Sequence, residues 1–156
     1  MSISHTQNLI EQLIIQSGSS PEEHLVSKDP IRYELFFSNY PIWIDLVRLG
    51  PNEDEGYLDI MAPLFKMPDK NKEAFAIDCL QINTKLISCA IGLRDQYVVF
   101  TNTRETLNLD QTELDAIVAR IAEYQRDYAG KLLFKYEGSW LTATQEKPGR
   151  PPGPVM

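Results

Sequence analysis

Apolar residues recur along the chain at helical and at strand spacings, in segments separated by polar turns. Between residues 4 and 16, SHTQNLIEQLIIQ sets Leu9, Ile10, Leu13 and Ile14 on one side of a helix, with Ser4 as its N-cap. Gly18 closes that helix and Pro21 lies just beyond. Three runs rich in aromatic and β-branched residues follow: IRYELFF (31–37), IWIDLVRL (42–49) and YLDIMAPLF (57–65). Such residues favour strands, and the short connections SNYP and GPNEDEG suit antiparallel hairpins.

The spacing next predicts a helix from about Lys70 to Thr84, capped by Asp69. Its stripe is Phe75, Cys79 and Ile82, widened by Ala76 and Leu80. ISCAIGL (87–93) and YVVFTNT (97–103) flank RDQ as a second hairpin, with Cys89, Ile91 and Leu93 toward the core. The last helix has the clearest start: Asp110 caps it, Glu113 stands at the capping-box position, and Leu109 and Leu114 form a hydrophobic staple. Leu114, Ile117, Val118, Ile121, Tyr124, Tyr128 and Leu132 continue its stripe. Gly130 costs about 1 kcal/mol inside a helix, so the helix is expected to end there and not near Glu137.

The order α-β-β-β-α-β-β-α does not alternate as βαβ, which makes this an α+β chain with a five-stranded, mainly antiparallel sheet packed against helices. Residues 1–145 form one domain. Residues 146–156, EKPGRPPGPVM, are expected to be a disordered, polyproline-like tail.

Side chains on a strand alternate between faces. Ile42, Ile44 and Leu46, with Leu58, Ile60, Ala62 and Leu64, give a wholly apolar face for the helices. The opposite face carries Trp43, Asp45, Val47 and Leu49, then Tyr57, Asp59, Met61 and Phe65. It is too apolar to meet only water, and patches rich in Trp, Tyr, Phe and Met mark partner sites. Trp43, Asp45, Val47, Tyr57, Asp59, Met61 and Phe65 are therefore the candidate protein-binding residues.

Composition narrows the function. The 156 residues carry a net charge of −7 and no Lys/Arg cluster, which disfavours nucleic acid and an anionic membrane surface as partners. No apolar run reaches the ~20 residues of a membrane span, and the first residues lack a secretory signal. Cytoplasm is the expected location. Cys79 and Cys89 form no CxxC and have no neighbouring histidine, so they read as small buried hydrophobes without metal.

The catalytic candidates are weak. Asp45 and Asp59 could form a carboxylate pair, but no sugar-sized cleft accompanies them, and two solvated carboxylates are the plainer expectation. If 45 pairs with 59, like charges face each other across the hairpin. A register two residues over pairs Asp45 with Met61 instead. His5 and His24 have no ligand-spaced partner, SGSS lacks a nucleophile elbow, and PNEDEG lacks the alternating ligands of a calcium loop. No catalytic residue, metal or cofactor is expected.

The element order, and the stretches CLQINTKL, SCAIGLRDQYVVFTNT and LNLDQTELDAIVARIAEYQRDYAGKL, resemble the type III secretion chaperone-like fold and, within it, the YbjN-like family of small bacterial proteins. The resemblance covers about residues 5–136 and does not include the Pro-rich tail. It implies a non-enzymatic protein that dimerises and holds or tunes another protein. The expected function is a chaperone-like or regulatory adaptor for a client segment, working as a homodimer. The mixed sheet face either makes that dimer or binds the client. An acidic rim of Asp45, Glu53, Asp54, Glu55 and Asp59 would favour basic clients. The alternative is a sensor with an apolar ligand between sheet and helix.

Overall fold

The computed structural model describes residues 3–37, 40–50 and 54–136. Helix α1 (Ile3–Gln16) leads through a single-turn α2 (Pro21–His24) into strands β1 (Leu25–Lys28), β2 (Ile31–Phe37), β3 (Tyr40–Arg48) and β4 (Gly56–Lys66). Helix α3 (Lys72–Asn83), the β5 (Ala90–Arg94) and β6 (Tyr97–Glu105) hairpin, and α4 (Gln111–Tyr136) follow. The sheet has six strands in the order β1-β2-β3-β4-β6-β5, all antiparallel. The α+β class holds, with one strand more than the five expected. The extra strand, LVSK, is too short to show a period of its own and joins β2 across a bulge between Leu25 and Ser27. The Pro-rich tail and Glu53 lie outside the described residues.

The helix ends follow backbone chemistry. Gly18 takes φ 88° and donates from its N–H to the Ile15 carbonyl at 2.9 Å, a left-handed closure that suits glycine. Ser4 lies inside α1, and Ile3 ahead of it is buried with its N–H on the Asp54 carbonyl at 2.8 Å, so tertiary contact replaces the expected cap. Helix α3 starts after left-handed Asn71, two residues later than an Asp69 cap would place it. At α4 the cap is as expected: Asp110 Oδ1 accepts the Glu113 N–H at 2.8 Å. The Glu113 carboxylate, however, pairs with Arg104 at 2.8 Å, so α4 is tied to β6 as well as to its own first turn. The helix continues through Gly130 to Tyr136 because Ala129, Leu132 and Tyr136 are all buried against the core.

One core lies between the sheet and the helices. Ile10 and Ile14 of α1, Phe75 and Cys79 of α3, and Leu114 to Leu132 of α4 pack on Ile42, Ile44, Leu58, Ile60 and Phe100. Each such fully buried side chain contributes about 1.5–3 kcal/mol relative to exposure. Gln125 is the polar exception: its Nε2 donates to the carbonyls of Pro41 (3.2 Å) and Pro63 (2.8 Å) and so anchors α4 to β3 and β4. Pro63 has no N–H to give the ladder, and the β4–β6 register shifts between Pro63 and Phe65.

Tyr33 joins α1 to β2. Its hydroxyl donates to Glu11 Oε1 at 2.9 Å and accepts from Gln7 Nε2 at 3.0 Å. Burial pushes its phenol up to about 12 from an ordinary 10.0; the Gln7 hydrogen bond lowers it and Glu11 raises it. A raised folded-state value means the unfolded chain loses this proton first. The associated stability is whole below pH 10 and is lost as pH climbs toward 12. Urea unfolding at stepped alkaline pH should show that decline, and Tyr33→Phe should make it shallower.

Candidate functional site

The outer face of the sheet is where the sequence placed its candidate residues. Trp43, Met61 and Val99 form a second, smaller cluster there, flanked by Tyr97, with no helix in it among the described residues. Phe65 does not belong to that face. The bulge after Pro63 turns it to the helix side, where its ring meets Phe75 edge-on at 5.9 Å.

Asp45 and Asp59 stand directly opposite each other, in the like-charged register. They are not solvated, being only 2% and 1% exposed. Arg94 explains how the sheet tolerates this. Its guanidinium grips Asp59 with two bonds, Nη1 to Oδ2 at 2.8 Å and Nη2 to Oδ1 at 3.0 Å, and its Nη1 also touches the Met61 sulfur at 3.8 Å. Arg32 lies 3.5 Å from Asp45. Two cations therefore meet two carboxylates. Buried Tyr57 sits beside them; desolvation raises its phenol, Asp59 and Asp45 add to the shift, and Arg94 opposes it. Trp43 Nε1 donates to Glu34 across the β2–β3 pair at 2.5 Å.

This arrangement holds a sheet together more than it offers a contact surface. The apolar members are already covered, and Asp45 and Asp59 contribute no free negative charge to an acidic rim. Val47 is the one candidate on this face left half-buried. A carboxylate clamped by a bidentate arginine is also poorly placed to move protons.

Exposed apolar side chains occur on several elements, among them Phe36, Leu49 and Phe134, and they gather around α3 and β5. Along α3 and the edge strand β5, Ile77, Leu80 (66% exposed), Ile87 and Leu93 (56%) face outward. Leu80 and Leu93 were both expected in the core. Leu93 does sit on the helix side of the sheet, two residues from buried Ile91, but α3 stops short of covering it. Ile77 was the available signal. It follows Phe75 by two positions, more than half a turn round the helix, so one core face cannot absorb both. Below this row lies an apolar groove of about 240 Å3. Asn83, the residue that ends α3, accepts the Ile91 N–H at 2.7 Å and donates to the Ile91 carbonyl at 3.2 Å. A side-chain amide thus stands in for a neighbouring strand at the middle of β5 and blunts that edge.

A second concavity of about 610 Å3 opens where the end of α1, the end of β2 and the middle of α4 diverge. Leu13, Ile14, Leu35, Phe37, Tyr40 and Ala122 line it, with His24, Glu123 and Arg126 also in the wall. His24 Nδ1 lies 2.8 Å from the Glu34 carbonyl, which only accepts, so that nitrogen carries the proton.

Both cysteines are thiols at neutral pH. Burial pushes Cys79 up to about 11, with Asp78 adding to the rise, and burial pushes Cys89 up to about 11 against the lowering effect of Arg120. Among the described residues no cluster of His, Cys, Asp or Glu could hold a metal ion, and no helix is long and apolar enough to cross a membrane.

Solved structures resemble this chain along most of its length. A chain of the ExsC–ExsE complex superposes with a TM-score of 0.65 at 12% identity, covering 85% of this chain and 97% of its own. One from the heterodimeric ExoU–SpcU complex of the Pseudomonas aeruginosa type III secretion system gives 0.58 at 15%, covering 78% and 95%. One from the HopA1–SchA chaperone–effector complex gives 0.59 at 14%, covering 80% and 93%. The fold is secretion chaperone-like. At these identities the likeness concerns the fold alone. No family model matches the sequence, and the search of curated proteins found no relative.

Proposed function

We propose that this chain is a non-enzymatic protein-binding module, a chaperone-like or regulatory adaptor that works in the cytoplasm as a homodimer and holds a segment of a client protein. The observation that carries the reading is the pair of surfaces the fold leaves open: the apolar α3–β5 row and the mixed cleft between α1 and α4, whose apolar floor includes Leu13, Leu35 and Phe37. Contiguous exposed apolar patches on soluble domains mark interaction sites. The neighbours support the same reading, since the three structures named above are complexes of two proteins, one of them a chaperone with its effector. Placement within the YbjN-like family rests on the apolar pattern of the second hairpin and the last helix.

The two surfaces take different occupants. The α3–β5 row meets its counterpart on a second copy: Ile77, Leu80 and Leu93 are exposed, and no charged side chain lines the groove beside Leu80 and Leu93, which suits an apolar two-fold contact. Leu80→Asp should weaken dimerisation by roughly 30-fold or more, the scale of losing one interfacial hot spot. Sedimentation over a concentration series reads the shift, and an unchanged circular dichroism spectrum shows the fold intact.

The client segment lies in the α1–α4 cleft, with its apolar side chains on Leu13, Leu35 and Phe37. Capture from the protein's own host, read by mass spectrometry, tests this with three baits. Ala122→Trp fills the cleft and should lose the proteins that the parent retains. Trp43→Ser, on the covered outer face, should keep them if it folds. Loss with Trp43→Ser alone would return the client to the outer face. Empty lists from all three would favour the sensor reading, in which the cleft holds a small apolar ligand.

A further inference from the structure

The cleft between α1 and α4 is apolar at its floor, where Leu13, Leu35 and Phe37 lie, but the charges in its wall are not equally committed. Arg126, the cation of that wall, already faces Asp127 on its own helix at 3.7 Å. Glu123 stands three residues earlier on α4, within a turn of Arg126. It is exposed, and among the described residues its carboxylate makes no ion pair or hydrogen bond.

His24 has the same polarity. Its Nδ1–H is held by the Glu34 carbonyl at 2.8 Å, so in the neutral ring Nε2 is left as an acceptor. Glu22 and Glu23, both exposed, precede it in the single turn of α2 and bring negative charge to that end of the cleft. The Ser17 hydroxyl donates to the Ile14 carbonyl at 2.6 Å, so its proton is taken up inside α1. The wall therefore offers acceptors and negative charge, while its cation is already offset. Its complement is an occupant with apolar side chains for the floor and cationic donors for the wall. The net charge of −7 draws such a partner in from solution as well.

We propose that the polypeptide segment bound in this cleft is basic and amphipathic, with its apolar side chains on Leu13, Leu35 and Phe37 and a lysine or arginine on the Glu123 carboxylate. Glu123 is then the residue that selects among clients. A segment of equal apolarity that carries acidic residues brings like charge against it and is rejected. The acidic character of the chain acts at this cleft and not on the outer sheet face, where Asp45 and Asp59 already have Arg32 and Arg94 beside them. The selection rests on the cleft reading above, and its failure is separable from that of the cleft.

The test uses the full chain and two labelled peptides with the same leucines, one carrying lysines between them and the other glutamates, with binding read by fluorescence anisotropy. The lysine peptide should bind about tenfold more tightly, the scale of one ion pair gained against one like-charge contact. Glu123→Arg should remove that preference. Glu73→Arg makes the same change of net charge at an exposed site on α3 and should leave the preference in place. Ala122→Trp should lose both peptides. Equal affinity for the two, lost with Ala122→Trp, overturns the charge selection and leaves the cleft as a client site. A preference that survives Glu123→Arg, or that Glu73→Arg removes as well, overturns Glu123 as its source. Binding that Ala122→Trp leaves intact, or no binding of either peptide, removes the cleft reading and the proposal with it. Circular dichroism checks each fold, and if Glu123→Arg does not fold, Glu123→Gln should cut the preference to about threefold.

Discussion

Arg94→Ala is expected to destabilise the protein by about 3–5 kcal/mol, the cost of removing one partner from a buried ion pair. Asp59 has no exposed side-chain surface, so water cannot replace the two guanidinium bonds that it loses. Its cross-strand neighbour is Asp45, and the variant leaves two carboxylates face to face, with Arg32 3.5 Å from Asp45 and the Thr103 hydroxyl 3.5 Å from Asp59. Chemical unfolding by urea gives the loss directly. Arg94→Met combined with Asp59→Leu should recover most of it, because a buried pair exchanged for apolar residues of similar volume is often neutral or stabilising. A small loss in the single variant would mean that Asp59 finds other compensation, and the outer face would be less committed to structure than argued here.

Gly56→Ala should be comparably severe, with an expected cost above about 4 kcal/mol, in the range that marks a direct clash. A Cβ at this position would lie 1.9 Å from the Val47 carbonyl oxygen and 2.8 Å from Ile3 Cδ1. The carbonyl belongs to the backbone of β3 and cannot swing aside. Gly56 also exchanges hydrogen bonds with buried Thr106, donating to its Oγ1 at 3.1 Å and accepting its N–H at 2.9 Å. Strand β4 would have to separate from β3 or from the end of β6 to make room. Gly92→Ala is the matched control: nothing stands within 4 Å of its added Cβ, and thermal unfolding should stay within about 1 kcal/mol of the parent.

The elements were legible where one face is buried and the other is wet. The period of α1 and α4 reports directly which side chains leave water, whereas in β3 and β4 alternation sorted the two faces without showing that both are buried; the Asp110 cap is a local bond written in adjacent residues. What failed to show depends on contacts remote in the chain. Strand β1 exists because β2 offers it an edge. Phe65 changes face because of a bulge that Pro63 imposes on β4 against β6. The pairing of Asp45 and Asp59 reads as solvated charge until Arg94, thirty-five residues further on, is placed beside Asp59. The burial of the candidate surface was hidden for the same reason. Alternation located a mixed apolar face correctly, but it carries no information about the long arginine and glutamate side chains that fold over it. The exposure of Leu80 and Leu93 depends on how far α3 extends over β5, and the one local sign of it is Ile77, more than half a turn from Phe75.

The most direct measurement of the central claim is site-specific photo-cross-linking in the host, with the reactive residue placed in turn at Ala122, Leu80 and Thr101. These positions lie in the cleft, on the α3–β5 row and on the outer sheet face opposite Met61. The account predicts a client adduct from Ala122, an adduct with the chain itself from Leu80, and none from Thr101. A client adduct from Thr101 with Ala122 silent would contradict it, and would show that the outer face, for all its covering charges, is the surface that binds.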